Sequence, residues 1–589
     1  MKAEVRRNRA IPVTNTRARL YAVLATLALA ATALVVRAVD LQVVRKDFYQ
    51  DQGHQRFLRE RAIPVSRGMI VDRNGEPLAV STPVESIWAQ PHELLAHRAR
   101  LPELAAALGI EPALLEQRIT QRADREFVYL RRHLTPDQAA AILALGVPGV
   151  NAQREFRRYY PGGEVFAHLL GFTDIDDRGQ EGLELAFDEW LSGTPGLKRV
   201  IQDRRGAIVE DVEMLRASAP GRELKLSIDR RVQYLAYREL KAAMYEHRAE
   251  SGSMVVLDVT TGEILAMVNW PSYNPNLRGS GDANARRNRA VTDVFEPGSV
   301  IKAFTVAAGL ESGKFTPATL IDTHPGTTPV GNHLVRDIRD FGVIDVTRLL
   351  TKSSNVASAK IAAELDNAHF YDMFHRFGFG SPTGCGFPGE SPGVLPEPGG
   401  WGVVEKATLS YGYGLSVTPL QLAVAYGALA SGGRLRAPTF VLGADTPVSA
   451  VLDPEIAATV TRMLETVIEP EGSGSRAAVP NFSVAGKTGT SRKAVAGGYQ
   501  KRYISSFAGV VPASRPRLAG VIVINDPRGN DYYAGLVAAP VFARVMPGVL
   551  RLLNVTPDRV DTLHAHVAPA PVAPPPALVD DSPYAEGVP

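Results

Sequence analysis

An α+β fold, one antiparallel sheet with helices packed on it, follows from three features of the sequence. Strand-like runs stand at both ends of the second half: Met254–Leu257 and Ile264–Val268 early, Phe482–Ala485, Phe507–Val511 and Leu518–Ile524 late. Helix-competent segments, Ile301–Leu310 and Thr418–Ala430, lie between them. A sheet assembled from both ends of a segment, with helices in the middle, is a helix-on-sheet layer. The third feature is length. At 589 residues the chain exceeds what one core supports, so at least two domains are expected. The texture changes near residue 225, which separates an elongated mixed domain over about 43–225 from the sheet-and-helix domain over 226–555.

The N-terminus is an anchor by its pattern. Lys2, Arg6, Arg7, Arg9, Arg17 and Arg19 face Glu4 alone within the first 19 residues, a net of +5 that leaves the remainder at −2 of the chain's +3. The positive balance therefore belongs to a short tail, which argues against a folded basic face for nucleic acid. Leu20 to Val36 then carries no charge. With flanking residues it forms a single-pass span over 20–42, and basic residues before it keep residues 1–19 in the cytoplasm. The main chain then lies outside the inner membrane. A cleaved signal peptide is the competing reading, since Ala28 to Ala33 offers small-residue sites.

Within residues 43–225, Asn74-Gly75 follows the apolar run Met69-Ile70-Val71 and marks a turn. Residues 101–145 are Leu- and Ala-rich and predict short helices, and Pro161-Gly162-Gly163 is a loop. No compact nucleophile or metal motif occurs here, which makes this half a pedestal or interaction module. In the second half, Asp229 to His247 predicts a helix, and Thr418-Pro419 opens another with proline in its first turn. Ala513-Ser-Arg-Pro516 turns the last two strands into a hairpin. After residue 555 prolines crowd among Ala and Val, a composition without a core, so 556–589 is expected to be a disordered tail.

The chemistry starts at Glu296-Pro-Gly-Ser-Val-Ile-Lys302. Pro-Gly interrupts the preceding structure, and a helix starting at Ser299 puts Ser299 and Lys302 nearly one turn apart on one face. A serine hydroxyl needs a base, and a lysine serves when burial and neighbouring cations lower its pKa. Ser299 is the one serine followed by lysine at the third place. Ser353-Ser354-Asn355 follows, and then Lys487-Thr488-Gly489-Thr490. Singly these are weak: Ser272-Tyr273-Asn274 also fits S-x-N, and an S-x-x-K is often a solvated helix start. In this order they match the active-site set of penicillin-binding proteins and serine β-lactamases. The single cysteine, Cys385, has no histidine close in sequence, and the histidines, His564 and His566 included, have no metal-ligand spacing.

On these motifs the sequence resembles the class B penicillin-binding proteins, the monofunctional peptidoglycan transpeptidases, over about residues 20–550. Arg67-Gly-Met-Ile-Val-Asp-Arg-Asn-Gly-Glu-Pro-Leu-Ala79, Gln180-Glu-Gly-Leu-Glu184 and Tyr411-Gly-Tyr-Gly-Leu-Ser-Val-Thr-Pro-Leu-Gln421 add to the resemblance. Ser-Ser-Asn with Tyr-Gly-Tyr-Gly is similar to the septal FtsI type more than to the elongation type. The resemblance implies that Ser299 forms an acyl-enzyme with a D-Ala-D-Ala stem peptide and that Lys302 is the base. It implies that Ser353 relays a proton to the leaving D-Ala nitrogen, while Asn355 binds the substrate amide and holds Lys302. Lys487, Thr488, Gly489 and Thr490 then form the strand that takes the substrate carboxylate. The N–H groups of Ser299 and Thr490 form the oxyanion hole. An aromatic wall of Tyr503, Tyr532 and Tyr533 is weighed equally against ordinary packing. The implied partners are the stem peptide with its amine acceptor, β-lactams, the inner membrane, and an FtsW-type glycosyltransferase with other divisome proteins. No cofactor or metal and no nucleic acid is expected. A β-lactamase or β-lactam sensor, a D,D-carboxypeptidase and a non-catalytic divisome scaffold stand as the competing readings. The first lacks an identifiable carboxylate for activating water between the second and third motifs.

Overall fold

The computed structural model describes residues 16–46, 58–202, 208–277, 282–495 and 498–559. The basic tail up to residue 15 and the Pro-rich tail with His564 and His566 lie outside the described residues. Thr16–Val39 is an α-helix continued by a π-helical turn, Asp40–Val44. Residues 17–44 are long and apolar enough to cross a membrane, with a mean hydropathy of 2.2, and none of that stretch is buried by the protein. Its 28 residues span roughly 42 Å at about 1.5 Å per residue, so the span is longer than the uncharged run alone. A second long apolar helix, Ala534–Leu552, is half-buried and belongs to a core.

The described chain divides into two compact units that interleave in sequence. One contains residues 84–155 and 193–220 with the described chain up to Val65. Its core joins Leu94, Leu104, Leu108, Leu115 and Ile119 to Ile87, Leu130 and Ile142. These come from the helices Pro91–Ala96, Leu101–Leu108, Pro112–Thr120 and Pro136–Leu143 and the strands Pro77–Ala89 and Val128–Leu134. The last helix starts on a full capping box, Thr135 with Gln138.

The other unit contains 66–83, 156–192 and everything from 221. Its main sheet has five antiparallel strands: β1 (Ser251–Asp258), β2 (Ile264–Trp270), β3 (Ala485–Val495), β4 (Gly498–Val511) and β5 (Leu518–Asn525), in the order β2-β1-β5-β4-β3. Phe482–Ala485 is therefore not a strand of its own. The strand starts at Ala485 and continues through the third motif, because pairing of Lys487 with Ala508 and Thr490 with Ser505 extends the ladder. Side chains alternate between two cores. Val255, Leu257, Val521 and Val523 face one, and Met254, Val256, Ile522 and Ile524 face the other. That is why these strands read as unbroken apolar runs: both faces are covered by helices.

On one side lie α1 (Arg230–Glu246), capped by Asp229, and the C-terminal helix Ala539–Leu552. Val537–Phe542 enters that helix and packs there. On the other side are α2 (Lys302–Glu311), α3 (Val346–Lys352), α4 (Asn355–Glu364) and α5 (Pro419–Ala430). Helix α5 is buried from Pro419 to Leu429, with a Thr418–Gln421 capping box, so it forms the centre of this layer. Residues 556–559, placed in the tail by composition, are held to the body. The Asp558 carboxylate accepts from Ser483 N (2.8 Å) and Ser514 Oγ (2.5 Å), and Arg559 N donates to Asn481 O (3.1 Å).

Two segments of the pedestal half that looked family-like meet in this unit. Arg67, its side chain 2% exposed, donates to Glu184 Oε2 (2.7 Å), Glu184 O (2.7 Å) and Asp188 Oδ1 (2.6 Å). Arg158 donates to Glu184 Oε1 (2.6 Å). Glu184 is fully buried, and among the described residues these two guanidiniums compensate its charge. Replacing Arg67 with Met leaves Glu184 with one partner and several unpaired oxygens. We expect a loss of about 3–5 kcal/mol, read as a lowered Tm, with the catalytic motifs untouched in sequence.

Candidate active site

The nucleophile segment is a tight turn before a buried helix. Gly298–Ile301 is a 3-10 turn and α2 begins only at Lys302. Ser299 is thus in the turn, half-buried, not at the first position of an α-helix. Gly298 N donates to Gly412 O (3.0 Å), and a side chain on Gly412 would meet Gly298 O at 2.1 Å. The Tyr411-Gly-Tyr-Gly segment therefore braces the turn by close backbone contact. Strand β3 presses from another side: a Cβ on Gly489 would lie 2.6 Å from Pro297 O. The glycine of Lys-Thr-Gly is there for that approach. Glu296 holds the turn's entry by accepting from Gly414 N (2.8 Å) and Tyr499 OH (3.0 Å), and its carboxyl is pushed up by burial.

Lys302 is fully buried. Its Nζ donates to Ser353 O (2.6 Å) and Asn355 Oδ1 (2.7 Å), with Ser353 Oγ at 3.3 Å. Lys487 is also fully buried, and its Nζ donates to Ser353 Oγ (3.0 Å) and Thr488 O (3.2 Å). One hydroxyl thus stands between two lysines. Burial, and then the Lys487 charge, push the Lys302 ammonium far below the usual lysine range, with Asp337 opposing. Burial brings Lys487 to about 7. A neutral lysine near neutral pH is what a base for serine requires.

Ser353 reaches this position because it ends α3 in the left-handed conformation, φ 62° and ψ 42°. A non-glycine residue there costs about 1–3 kcal/mol and persists when the surroundings dictate it. Ser354 immediately caps α4. A residue that the motifs did not reveal, Asp337, fixes the start of α4. Its carboxylate accepts from Ser354 Oγ (2.6 Å), Asn355 N (2.5 Å) and Val356 N (3.1 Å), while Asn355 Nδ2 donates to Arg336 O (2.9 Å). Asp337 follows the short hairpin Thr327–Val330/His333–Arg336, which lies beside this helix start. Only the folded hairpin makes it a neighbour of Ser353-Ser-Asn.

Thr488 Oγ1 pairs with Ser473 Oγ (2.8 Å), and Thr490 Oγ1 accepts from Ala534 N (2.9 Å). Ala534 follows Tyr533, so the third motif is tied directly to the aromatic segment. Tyr503, Tyr532 and Tyr533 form a continuous stack, with centroids 4.0 Å and 4.5 Å apart. Tyr533 is 52% exposed. The three therefore pack on one another at the protein's surface and not in a core. Ser272-Tyr273-Asn274 lies elsewhere: Ser272 Oγ donates to Glu164 O (2.7 Å) and Tyr273 OH to Ala167 O (3.1 Å). The Cys385 thiol is pushed up to about 12, by burial and then by Glu390, which removes thiolate character.

Two outcomes follow from this geometry. Asp337→Ala removes a helix cap and the carboxylate behind Asn355. We expect a loss of about 1–2 kcal/mol in Tm measurements and a slower acylation of Ser299, partly restored by Asp337→Asn. A base role for Lys302 requires its neutral form and predicts that acylation rises with pH through its ionisation. Lys487→Met removes a positive neighbour and raises that ionisation. The rising limb of the acylation rate then moves to higher pH, read from stopped-flow labelling across the pH range.

Known proteins resemble this chain over most of its length. A family model described as penicillin binding protein transpeptidase domain matches residues 252–547. Another, penicillin-binding protein dimerisation domain, matches 62–226. The peptidoglycan D,D-transpeptidase FtsI of Escherichia coli K12 is 44% identical over 542 residues, covering 91% of this chain and 92% of that protein. The probable peptidoglycan D,D-transpeptidase PbpC of Pseudomonas aeruginosa is 43% identical over 546 residues, covering 92% and 96%. Among solved structures, the transpeptidase domain of penicillin-binding protein 3 from Burkholderia pseudomallei aligns with a TM-score of 0.53 and 39% identity, over 57% of this chain and 98% of that one. A peptidoglycan synthetase from Bifidobacterium adolescentis shares the fold with a TM-score of 0.68 at 24% identity, over 85% and 98%.

Proposed function

We propose that this chain, which belongs to the penicillin-binding transpeptidase family, is a peptidoglycan D,D-transpeptidase that works through an acyl-enzyme on Ser299 and is blocked by β-lactams there. The observation that carries the reading is the Ser353 hydroxyl held between the buried amines of Lys302 and Lys487. In acylation Ser299 Oγ attacks the carbonyl of the penultimate D-Ala while Lys302 accepts its proton. Ser353 Oγ passes its proton to the leaving nitrogen and takes one from the Lys302 ammonium, the C–N bond breaks, and D-Ala departs. In transfer an amine of a second stem attacks the ester, the same groups run in reverse, and Ser299 recovers its proton. The backbone N–H groups of Ser299 and Thr490 receive the oxyanion in both steps.

Strand β3 is the last strand of its sheet, so an extended peptide can add alongside it. Lys487, Thr488 and Thr490 then take the terminal carboxylate, Asn355 takes a substrate amide, and the tyrosine stack borders the cleft. We read residues 43–225 as the non-catalytic pedestal and 226–555 as the transpeptidase domain. The residues before 16 lie in the cytoplasm, the apolar helix crosses the inner membrane once, and the catalytic domain works outside it. Similarity to FtsI supports action at the division septum beside an FtsW-type glycosyltransferase.

The test is acylation by a fluorescent penicillin. Wild-type protein should label stoichiometrically and Ser299→Ala should not; equal labelling of both would remove Ser299 from its role. With stem-peptide substrate and an amine acceptor, the product separates the readings. A cross-linked dimer marks a transpeptidase, free D-Ala without dimer marks a carboxypeptidase, and rapid penicillin turnover marks a β-lactamase.

A further inference from the structure

A groove of about 610 Å³ opens beside Arg559. One wall is the end of the helix Pro454–Glu465 and the turn after it, with Glu465, Ile468 and Glu469. The other is the approach to β3, with Pro480 and Phe482. Ile468 and Phe482 are half-buried against the core, so each still turns part of an apolar side chain outward, and Pro480 is exposed beside them. Among the described residues, none of the three catalytic motifs lines it.

The path of the chain points to what covers this groove. Asp558 is fastened to Ser483 N (2.8 Å). Arg559 is itself part of the groove: its N–H donates to Asn481 O (3.1 Å) and its guanidinium to Glu465 Oε2 (2.9 Å). The residues next in sequence, Val560-Asp-Thr-Leu-His-Ala-His-Val567, therefore start at the groove's edge. At about 3.3 Å per residue, Leu563 can stand roughly 13 Å from Arg559, comparable with the span of a cavity of this volume.

The chemistry of that segment matches the walls. Glu465 and Glu469 share one lining cation, Arg559, which pairs with Glu465. Glu469 is exposed and has no cation of its own among the lining residues. In an extended chain alternate side chains face opposite ways, so Leu563, Ala565 and Val567 share one face while His564 and His566 share the other. The groove has the same division, apolar at Ile468, Pro480 and Phe482 and acidic at Glu469. Asp561 falls two residues beyond Arg559, on the face of its guanidinium.

We infer that residues 560–567 of this chain lie extended along the groove, with Leu563, Ala565 and Val567 on Ile468, Pro480 and Phe482, and with the two histidines donating to Glu469. So bound, the segment straps the end of the helix Pro454–Glu465 to the entry of β3. The loop between the two walls carries Ser473, whose hydroxyl pairs with Thr488 Oγ1 (2.8 Å), so the strap stands behind the third motif.

The experiment is hydrogen exchange read by mass spectrometry on the full-length protein, on a chain ending at Val567 and on a chain ending at Arg559. The expected result is that amides within 465–484 exchange at least about tenfold more slowly in the first two than in the third. In the full-length protein, Phe482→Ser and Leu563→Asp should each give the fast pattern. Phe482 packs on the core, so Leu563→Asp decides if Phe482→Ser fails to fold. Equal exchange in all three chains, fast exchange in the chain ending at Val567, or slow exchange unmoved by Leu563→Asp overturns the inference. Slow exchange that fades on dilution marks a second copy in the groove and overturns it as well.

Discussion

Two ammonium groups withdrawn from water around one hydroxyl set the terms for the rest of the catalytic unit. Lys302 and Lys487 both reach Ser353 Oγ, at 3.3 and 3.0 Å, and both are fully buried. Two unit charges about 6 Å apart repel by roughly 3 kcal/mol at an effective dielectric constant near 20, before any cost of desolvation. The arrangement relieves this by giving up a proton, and the carbonyl of Ser353, the amide of Asn355 and the carbonyl of Thr488 accept the N–H bonds that remain. A site under this tension holds only if its walls cannot relax.

The walls are correspondingly rigid. Ser353 is fixed in the left-handed conformation between two helices, and Asp337 ties off the start of the second. Strand β3 presses its glycine onto the nucleophile turn, and Gly412 presses from the other side. Behind them stands a sheet with a core on each face and a helix, Pro419–Ala430, buried along nearly its whole length. Precision at the three motifs is therefore a property of the entire layer.

Much of this was legible in sequence because it depends on local pattern. The apolar runs of β1, β2 and β5, the capped helix at Asp229 and the Thr418-Pro419 start are where their residues predict them. The order of Ser299-x-x-Lys302, Ser353-x-Asn355 and Lys487-Thr-Gly was enough to anticipate one cleft, and the decoy Ser272-Tyr-Asn274 is spent on loop hydrogen bonds. What was not legible depends on tertiary contact. Asp337 has no motif of its own and acquires its partners through a hairpin. The start of β3 was misplaced because Gly486, Lys487 and Thr488 have weak strand preference, and the ladder to β4 overrides it. Asp558 was given to the tail because composition says nothing of a single carboxylate that closes onto Ser483.

The position of β3 at the sheet's rim has a further consequence for how copies of the protein coexist at high local density. A strand with one open side is a template for any extended chain, a second copy of itself included. Its outer end carries Arg492, opposite Tyr503 on β4, and Lys493, with Lys501 and Arg502 on the neighbouring strand. Two molecules meeting rim to rim at that end would bring like charges together in a row. Like charge at that end disfavours pairing between two copies. Crowding in the plane of a membrane would then raise the need for that repulsion, and the basic end of the hairpin supplies it.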